Sequence, residues 1–299
     1  MTTSAPAQHP PEVNGASSAD PTLHAHNRHV TVIAPSRGWR ELGLRELWQY
    51  RELLFFITWR DVKVRYKQTA LGAAWAILQP FLLMLVFSVF LGRLAKVPSD
   101  GVPYAVFTFT ALVPWTLFAQ SVVGSSESLV VNANMVSKIF FPRLILPVAA
   151  CGAFFLDFLI SFVLLAAMIA VYGVSPGVEA LTAPLFAIMA LLTAMAFGIL
   201  LSAVNVRYRD VHYAVPFLVQ IWLFLSPVAY SLHLVPPNDR LIYALNPMVG
   251  VISGLRWALL GTESFPGGVI AVSATVTVVV LLGGLVYFRR TERTFADVI

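Results

Sequence analysis

Charge is scarce in this sequence. Asp, Glu, Lys and Arg together make up 12% of its 299 residues, about half the share of a soluble globular protein. Cysteine is scarcer still: Cys151 stands alone in an apolar run, which excludes an internal disulfide and a thiolate-ligated metal cluster. No G-x-x-x-x-G-K-[ST] phosphate loop occurs, and neither H-E-x-x-H nor G-x-S-x-G does. The chain therefore has no nucleotide-hydrolysing loop, zinc-peptidase motif or serine-hydrolase elbow. Residues 1–35 contain no apolar stretch, so no secretory leader is expected there. They are rich in Ser, Ala, Pro and His and read as a solvated disordered arm. His9, His24, His26 and His29 in that arm could hold a metal only loosely.

Apolar residues fill the remainder. The sequence is 58% hydrophobic with a mean hydropathy of +0.77, more than one soluble core of this size could hide. Charge-free runs cover 71–92, 101–126, 144–178 (interrupted by Asp157), 180–206, 211–238 and 264–288. Each can cross a hydrocarbon layer of ~30 Å at ~1.5 Å per residue, whereas 241–255 is too short. Six spans are predicted, which places both termini on one side. The net charge is +5, and its distribution orients the chain. Arg60, Lys63, Arg65, Lys67, Lys138, Arg143, Arg207, Arg209, Arg289, Arg290 and Arg293 fall in one set of connections. Arg93, Lys96, Arg240 and Arg256 fall in the other. The richer side is expected to be cytoplasmic, which explains the basic balance without nucleic acid.

Two segments do not read as spans. Over 41–67, Phe55, Trp59, Val62 and Tyr66 recur at i, i+4, i+7 and i+11, one helical face, with Arg60, Asp61, Lys63, Arg65 and Lys67 on the others. A basic helix with an aromatic stripe lies in the headgroup plane, as a simple anchor or as a lever on the first span. Over 241–260, Asn246-Pro247 is a helix-start signal, and Pro236-Pro237 stops what precedes it. Two short helices dipping back into the membrane fit this segment. Gly250 and Gly254 have the small-xxx-small spacing that permits close helix approach, although chance spacing explains them too.

Chemistry-bearing positions are few. Asp157 is the acid well inside a span, where ionisation costs about 2.5–3.5 kcal/mol unless a partner or water cavity receives it. It reads equally as a pore-lining group or as a structural residue paired with Ser161. Two short basic and aromatic connections, K-I-F-F-P-R at 138–143 and R-Y-R-D at 207–210, suit either docking of a protein partner or plain interfacial anchoring.

The motif R-D-V-K-V-R-Y-K-Q-T-A-L-G-A-A-W at 60–75, with Pro80 following, resembles the membrane subunits of type-2 ABC exporters for bacterial polysaccharides such as O-antigen, capsule and teichoic acid. The resemblance continues through K-I-F-F-P-R-L-I-L-P at 138–147, R-Y-R-D at 207–210, S-P-V-A-Y at 226–230 and N-P-M at 246–248, and covers about 40–290. Together with the charge-free runs and the charge bias, it gives an all-α integral membrane protein: a disordered cytoplasmic tail at 1–36, outside the resemblance and read from composition, an amphipathic helix at 37–68 that the resemblance makes a gate helix, a six-span domain at 69–290 and a cytoplasmic tail at 291–299. Two short re-entrant helices would separate spans five and six.

The resemblance also implies partners and roles. The subunit would be a permease without catalytic residues, cofactor or metal, paired with a second copy of itself and with a separate ABC ATPase that hydrolyses ATP. Phe55, Trp59, Arg60, Asp61, Lys63, Arg65, Tyr66 and Lys67 would belong to the gate helix. Lys138, Phe141, Arg143, Arg207, Arg209 and Asp210 would couple to the ATPase. Asn246, Pro247, Gly250 and Gly254 would form an external gate. The cargo would be a lipid-linked glycan leaving through the inner or plasma membrane. A wide uncharged conduit suits such cargo, and Tyr213, Phe217, Trp222, Phe224 and Tyr230, with Asp157, are its candidate lining. Ordinary packing and interfacial belts are the rival explanation of those aromatics. A type-2 exporter of drugs or lipids is the alternative function. An intramembrane enzyme should show converging acid–base or metal groups, which the sequence lacks.

Overall fold

The computed structural model describes residues 44–67, 72, 74–261 and 264–295. The tail at 1–36 and the end of the chain at 296–299 lie outside them, as do 68–71 within the 60–75 motif. Among the described residues every regular element is helical. In order they are α1 (Leu44–Gln49), α2 (Arg51–Lys67), α3 (Ala74–Phe87, prolonged by a π segment, Ser88–Leu94), α4 (Tyr104–Val131), α5 (Ala133–Lys138) and α6 (Ile145–Val171). A 3₁₀ turn, Val178–Thr182, leads into α7 (Ala183–Arg207), followed by α8 (Val211–Phe224), α9 (Arg240–Tyr243), α10 (Pro247–Leu260) and α11 (Gly267–Glu292).

Five helices are long and apolar enough to cross a membrane: Ala74–Leu94, Tyr104–Val131, Ile145–Val171, Val178–Arg207 and Gly267–Glu292. The fifth expected span differs. Instead of one helix over 211–238, α8 stops at Phe224 after 14 residues, about 21 Å of axial rise. Pro227 ends it, because proline disfavours a helical residue before it and supplies no N–H. Asn246 Nδ2 then donates to the Leu225 carbonyl at 2.9 Å and lies 2.9 Å from Ser226 Oγ, which satisfies a group that the vanished next turn would have paired. The third expected span is also shorter. The chain leaves α6 at Gly173, whose φ of +69° a residue with a Cβ reaches only with strain, and the Val174 N–H returns to the Ile169 carbonyl at 3.1 Å.

α4 is the central helix, with Val106, Phe107, Phe109, Leu112 and Phe118 fully buried. Its neighbours approach through small residues, as helices do where apolar burial gives no preference for protein over lipid. A Cβ at Gly198 of α7 would stand 2.7 Å from that of Ser125 on α4, and one at Gly124 would stand 2.5 Å from the Phe154 ring on α6. Polar groups complete these crossings. Ser125 Oγ donates to the Pro147 carbonyl at 2.8 Å, and Asn205 Nδ2 donates to the Ser126 carbonyl at 2.8 Å. One end of the bundle gathers Ile57, Leu129, Val136, Phe141, Leu144, Ala203, Val206 and Phe288 in a second core. The opposite end closes over Leu232, Ala244, Val249 and Val269.

Candidate functional site

At the end of the bundle that carries α2, that helix lies against α6. Its inward face is Leu54, Ile57, Thr58, Asp61, Val62 and Arg65, spaced at i, i+3, i+4, i+7, i+8 and i+11. Gly152 of α6 admits it: a Cβ there would stand 3.2 Å from the Thr58 methyl. The aromatic stripe read from the sequence therefore straddles two faces. Phe55 and Trp59 are exposed, at 70% and 46%, whereas Val62 is buried and Tyr66 half-buried. Lys63 lies 5.5 Å over the exposed Trp59 ring, a cation–π contact.

The physical reason for that rotation is Asp157. Arg65 Nη1 stands 2.5 Å from Asp157 Oδ2, with its guanidinium 3.9 Å over the Phe154 ring. The Tyr66 hydroxyl donates to Asp157 Oδ1. Burial, and then the Asp157 hydrogen bond, push the Tyr66 phenol up to about 12. Ser161, the partner considered for Asp157, instead donates to the Ala76 carbonyl at 2.8 Å. An acid within an apolar helix is thus met by two groups from α2, as its desolvation requires. Arg60 makes a second link. It binds Asp61 at 2.8 Å and donates to Asn132 Oδ1 at 3.0 Å, at the junction of α4 and α5.

The two basic connections differ in what they expose. Lys138 is exposed, but Phe141 is buried, and Arg143 reaches the Glu292 carbonyl at 2.5 Å through Nη1. The exposed side chains beside them are Ile139 and Phe140, at 59% and 89%, which the sequence reading passed over. Arg207, Tyr208, Arg209 and Asp210 are all exposed. Next to them a cleft of about 370 Å³ opens between the ends of α4, α7 and α8, lined by Glu127, Asn205, Arg209, His212 and Tyr213. His212 Nδ1 lies 3.1 Å from Glu127 Oε1.

α8 divides the aromatic candidates. Tyr213, Phe217 and Phe224 are 78%, 63% and 67% exposed and share one stripe with the exposed Gln220. Trp222 does not belong with them: partly buried, it packs edge-on against Phe118 at 5.0 Å and Phe197 at 4.9 Å, against the main core. Tyr230 is tied down, its hydroxyl 2.7 Å from that of Tyr243 and 3.1 Å from the Phe224 carbonyl. Burial and the Tyr230 hydroxyl push the Tyr243 phenol up.

At the opposite end, α10 begins as the sequence indicates. Asn246 Oδ1 accepts the Met248 N–H at 3.1 Å, and Pro247 follows at the first helical position. Gly250 and Gly254 are both close-approach sites within the chain. A Cβ at Gly250 would stand 2.5 Å from that of Ser273 on α11, and one at Gly254 would collide with the Phe186 ring of α7. Arg256 falls among the charges expected to flank the spans, yet it is 1% exposed. Its guanidinium donates to the carbonyls of Val228 at 2.8 Å and Tyr230 at 3.0 Å, and it lies 3.5 Å over the Phe107 ring. A planar fork of donors suits the open carbonyls left where α8 breaks. The signal available in the sequence was its place inside the apolar helix that Asn246-Pro247 starts.

Residues 52–260 match the family described as ABC-2 type transporter. The O-antigen export system permease protein RfbA of Myxococcus xanthus is 30% identical, over 85% of this chain and 98% of its own length. A Klebsiella pneumoniae protein of the same name is 28% identical over 83% and 95%. The polysialic acid transport protein KpsM of Escherichia coli is 23% identical over 78% and 91%. All of α2 but Arg51, the break after α8 and the capped α10 lie within the matched residues, and the chain belongs to the ABC-2 type transporter family of membrane proteins.

Proposed function

We propose that this chain is the permease subunit of an exporter that carries a lipid-linked polysaccharide or cell-wall glycan precursor out through the inner or plasma membrane. The observation that carries the reading is the similarity to the Myxococcus xanthus O-antigen permease along 98% of that protein. The exposed stripe of Tyr213, Phe217 and Phe224 on α8 supports it, since aromatic faces stack on sugar rings without requiring charge.

Two copies pair so that their α3 and α8 faces enclose the conduit. A separate ABC ATPase docks on the exposed side chains of Lys138, Ile139, Phe140, Arg207, Arg209 and Asp210. α8, with the turns after it, makes a sixth crossing, α9 and α10 re-enter from outside as an external gate, and both termini are cytoplasmic. α2 is the gate helix, and its Asp157 and Asn132 links transmit ATPase movement to α6 and α4. ATP binds the partner, and this chain takes no cofactor. Gene deletion with complementation tests the reading. Loss of the surface glycan, its accumulation inside, and rescue by the wild-type chain are expected. Unchanged surface glycan, with loss of drug or lipid efflux instead, overturns it.

A further inference from the structure

A cleft of about 470 Å³ opens between α3 and α4, lined by Trp75, Gln79, Leu82, Trp115, Thr116 and Gln120 among others. It lies apart from the α8 stripe, and its Trp75 closes the 60–75 motif. Two chemistries meet in its wall. Trp75 is 50% exposed, and Trp115 is buried beneath the opening. Gln120 Nε2 donates to Gln79 Oε1 at 2.8 Å, and Gln79 is exposed.

Those observations select the occupant. The Gln79–Gln120 bond uses one N–H and one carbonyl lone pair of two primary amides. The remaining donors and acceptors would be wasted against hydrocarbon, where an unmet polar group is costly, so a lipid chain is a poor tenant. An ion is a poor one too, because the lining contains no Asp, Glu, Lys or Arg among the described residues. A sugar ring offers an apolar C–H face beside a rim of hydroxyls that both donate and accept. The Trp75 indole and the two amides complement that pair of surfaces, and the volume is that of a small-molecule site.

We infer that the α3–α4 cleft binds an uncharged saccharide segment, with Trp75 against a ring face and Gln79 and Gln120 hydrogen-bonded to its hydroxyls. The inference rests on the export reading and adds a subsite to it. A photo-crosslinking amino acid at Leu82, in the otherwise native transporter in glycan-producing cells, is the direct test. Crosslinking to glycan is expected, and crosslinking to lipid or to a second copy of this chain alone overturns the subsite. A companion variant, Gln79→Leu with Gln120→Leu, keeps the wall apolar and compatible with insertion. It should reach the membrane in normal amount and lower surface glycan at least tenfold, with Gln79→Asn retaining most of it. Wild-type export by the double variant removes the subsite while leaving the export reading intact. Surface glycan that persists without the wild-type chain removes the export reading itself.

Discussion

Asp157 of α6 and Arg65 of α2 form an ion pair at 2.5 Å, so α2 is bound to the bundle by charge as well as by apolar contact. Their side chains are 13% and 30% exposed, which places the pair between the surface case, worth little, and the buried case, where removing one partner costs about 3–5 kcal/mol. Asp157→Ala and Arg65→Ala should each lower the thermal unfolding temperature of the detergent-purified protein. A double-mutant cycle should return about 1–3 kcal/mol of coupling. Strict additivity would show that the two groups do not act on each other.

Tyr66 adds a pH dependence with a definite sign. Its phenol is raised from 10.0 to about 12 in the fold, so folding favours the neutral form. The contribution is fully present below pH 10 and is lost as pH rises toward 12. Thermal stability should fall across that window by more in the wild type than in Tyr66→Phe. Equal slopes would mean that the hydroxyl contributes nothing.

Arg256 should resist conservative replacement. Arg256→Lys keeps the charge but loses the fork that spans the Val228 and Tyr230 carbonyls, so it should lose stability nearly as Arg256→Leu does. The expected loss is on the order of 3 kcal/mol, since orphaned buried groups cost about 1–3 kcal/mol each. A lysine variant that melts with the wild type would contradict the assigned role.

Gly254 has no room for a side chain beside Phe186. Gly254→Ala should destabilise by about 1–3 kcal/mol through overpacking, and Phe186→Leu should recover part of that loss. Absence of recovery would place the strain elsewhere.

The α8 aromatics should separate by phenotype. Trp222→Ala removes a core ring held by Phe118 and Phe197 and should cost about 3–5 kcal/mol. Phe217→Ala and Tyr213→Ala, both on the exposed stripe, should leave the melting temperature nearly unchanged and reduce glycan export. Equal melting losses in all three would remove the stripe from the conduit.

Much of this architecture was legible in the sequence because hydrophobic length and helix punctuation are local. Asn246-Pro247 marked the start of α10 correctly, and five of the six charge-free runs correspond to helices long enough to cross a membrane. Over 211–238 the lack of charge marks an apolar run but not its conformation, and Pro227 within it ends the helix at Phe224. Orientation of α2 failed for a different reason. Periodicity ranks faces by polarity, and nothing in it pairs Arg65 with Asp157, 92 positions away. For Trp222 the sequence left packing and conduit open, and the contacts with Phe118 and Phe197 that place it leave no trace in spacing, nor does the carbonyl cradle of Arg256. Ile139 and Phe140 were hidden by the basic residues on either side of them.

The cradle around Arg256 also bears on the order in which the chain is made. Its carbonyl acceptors belong to Val228 and Tyr230, and its stacking partner is Phe107, all synthesised before residue 256 leaves the ribosome. A guanidinium born into an apolar helix therefore finds its acceptors already threaded, and N-to-C synthesis spares it a wait in lipid without them. Moving α10 ahead of α4 by circular permutation would reverse that sequence of events, and the arginine would emerge as a stray charge at the translocon.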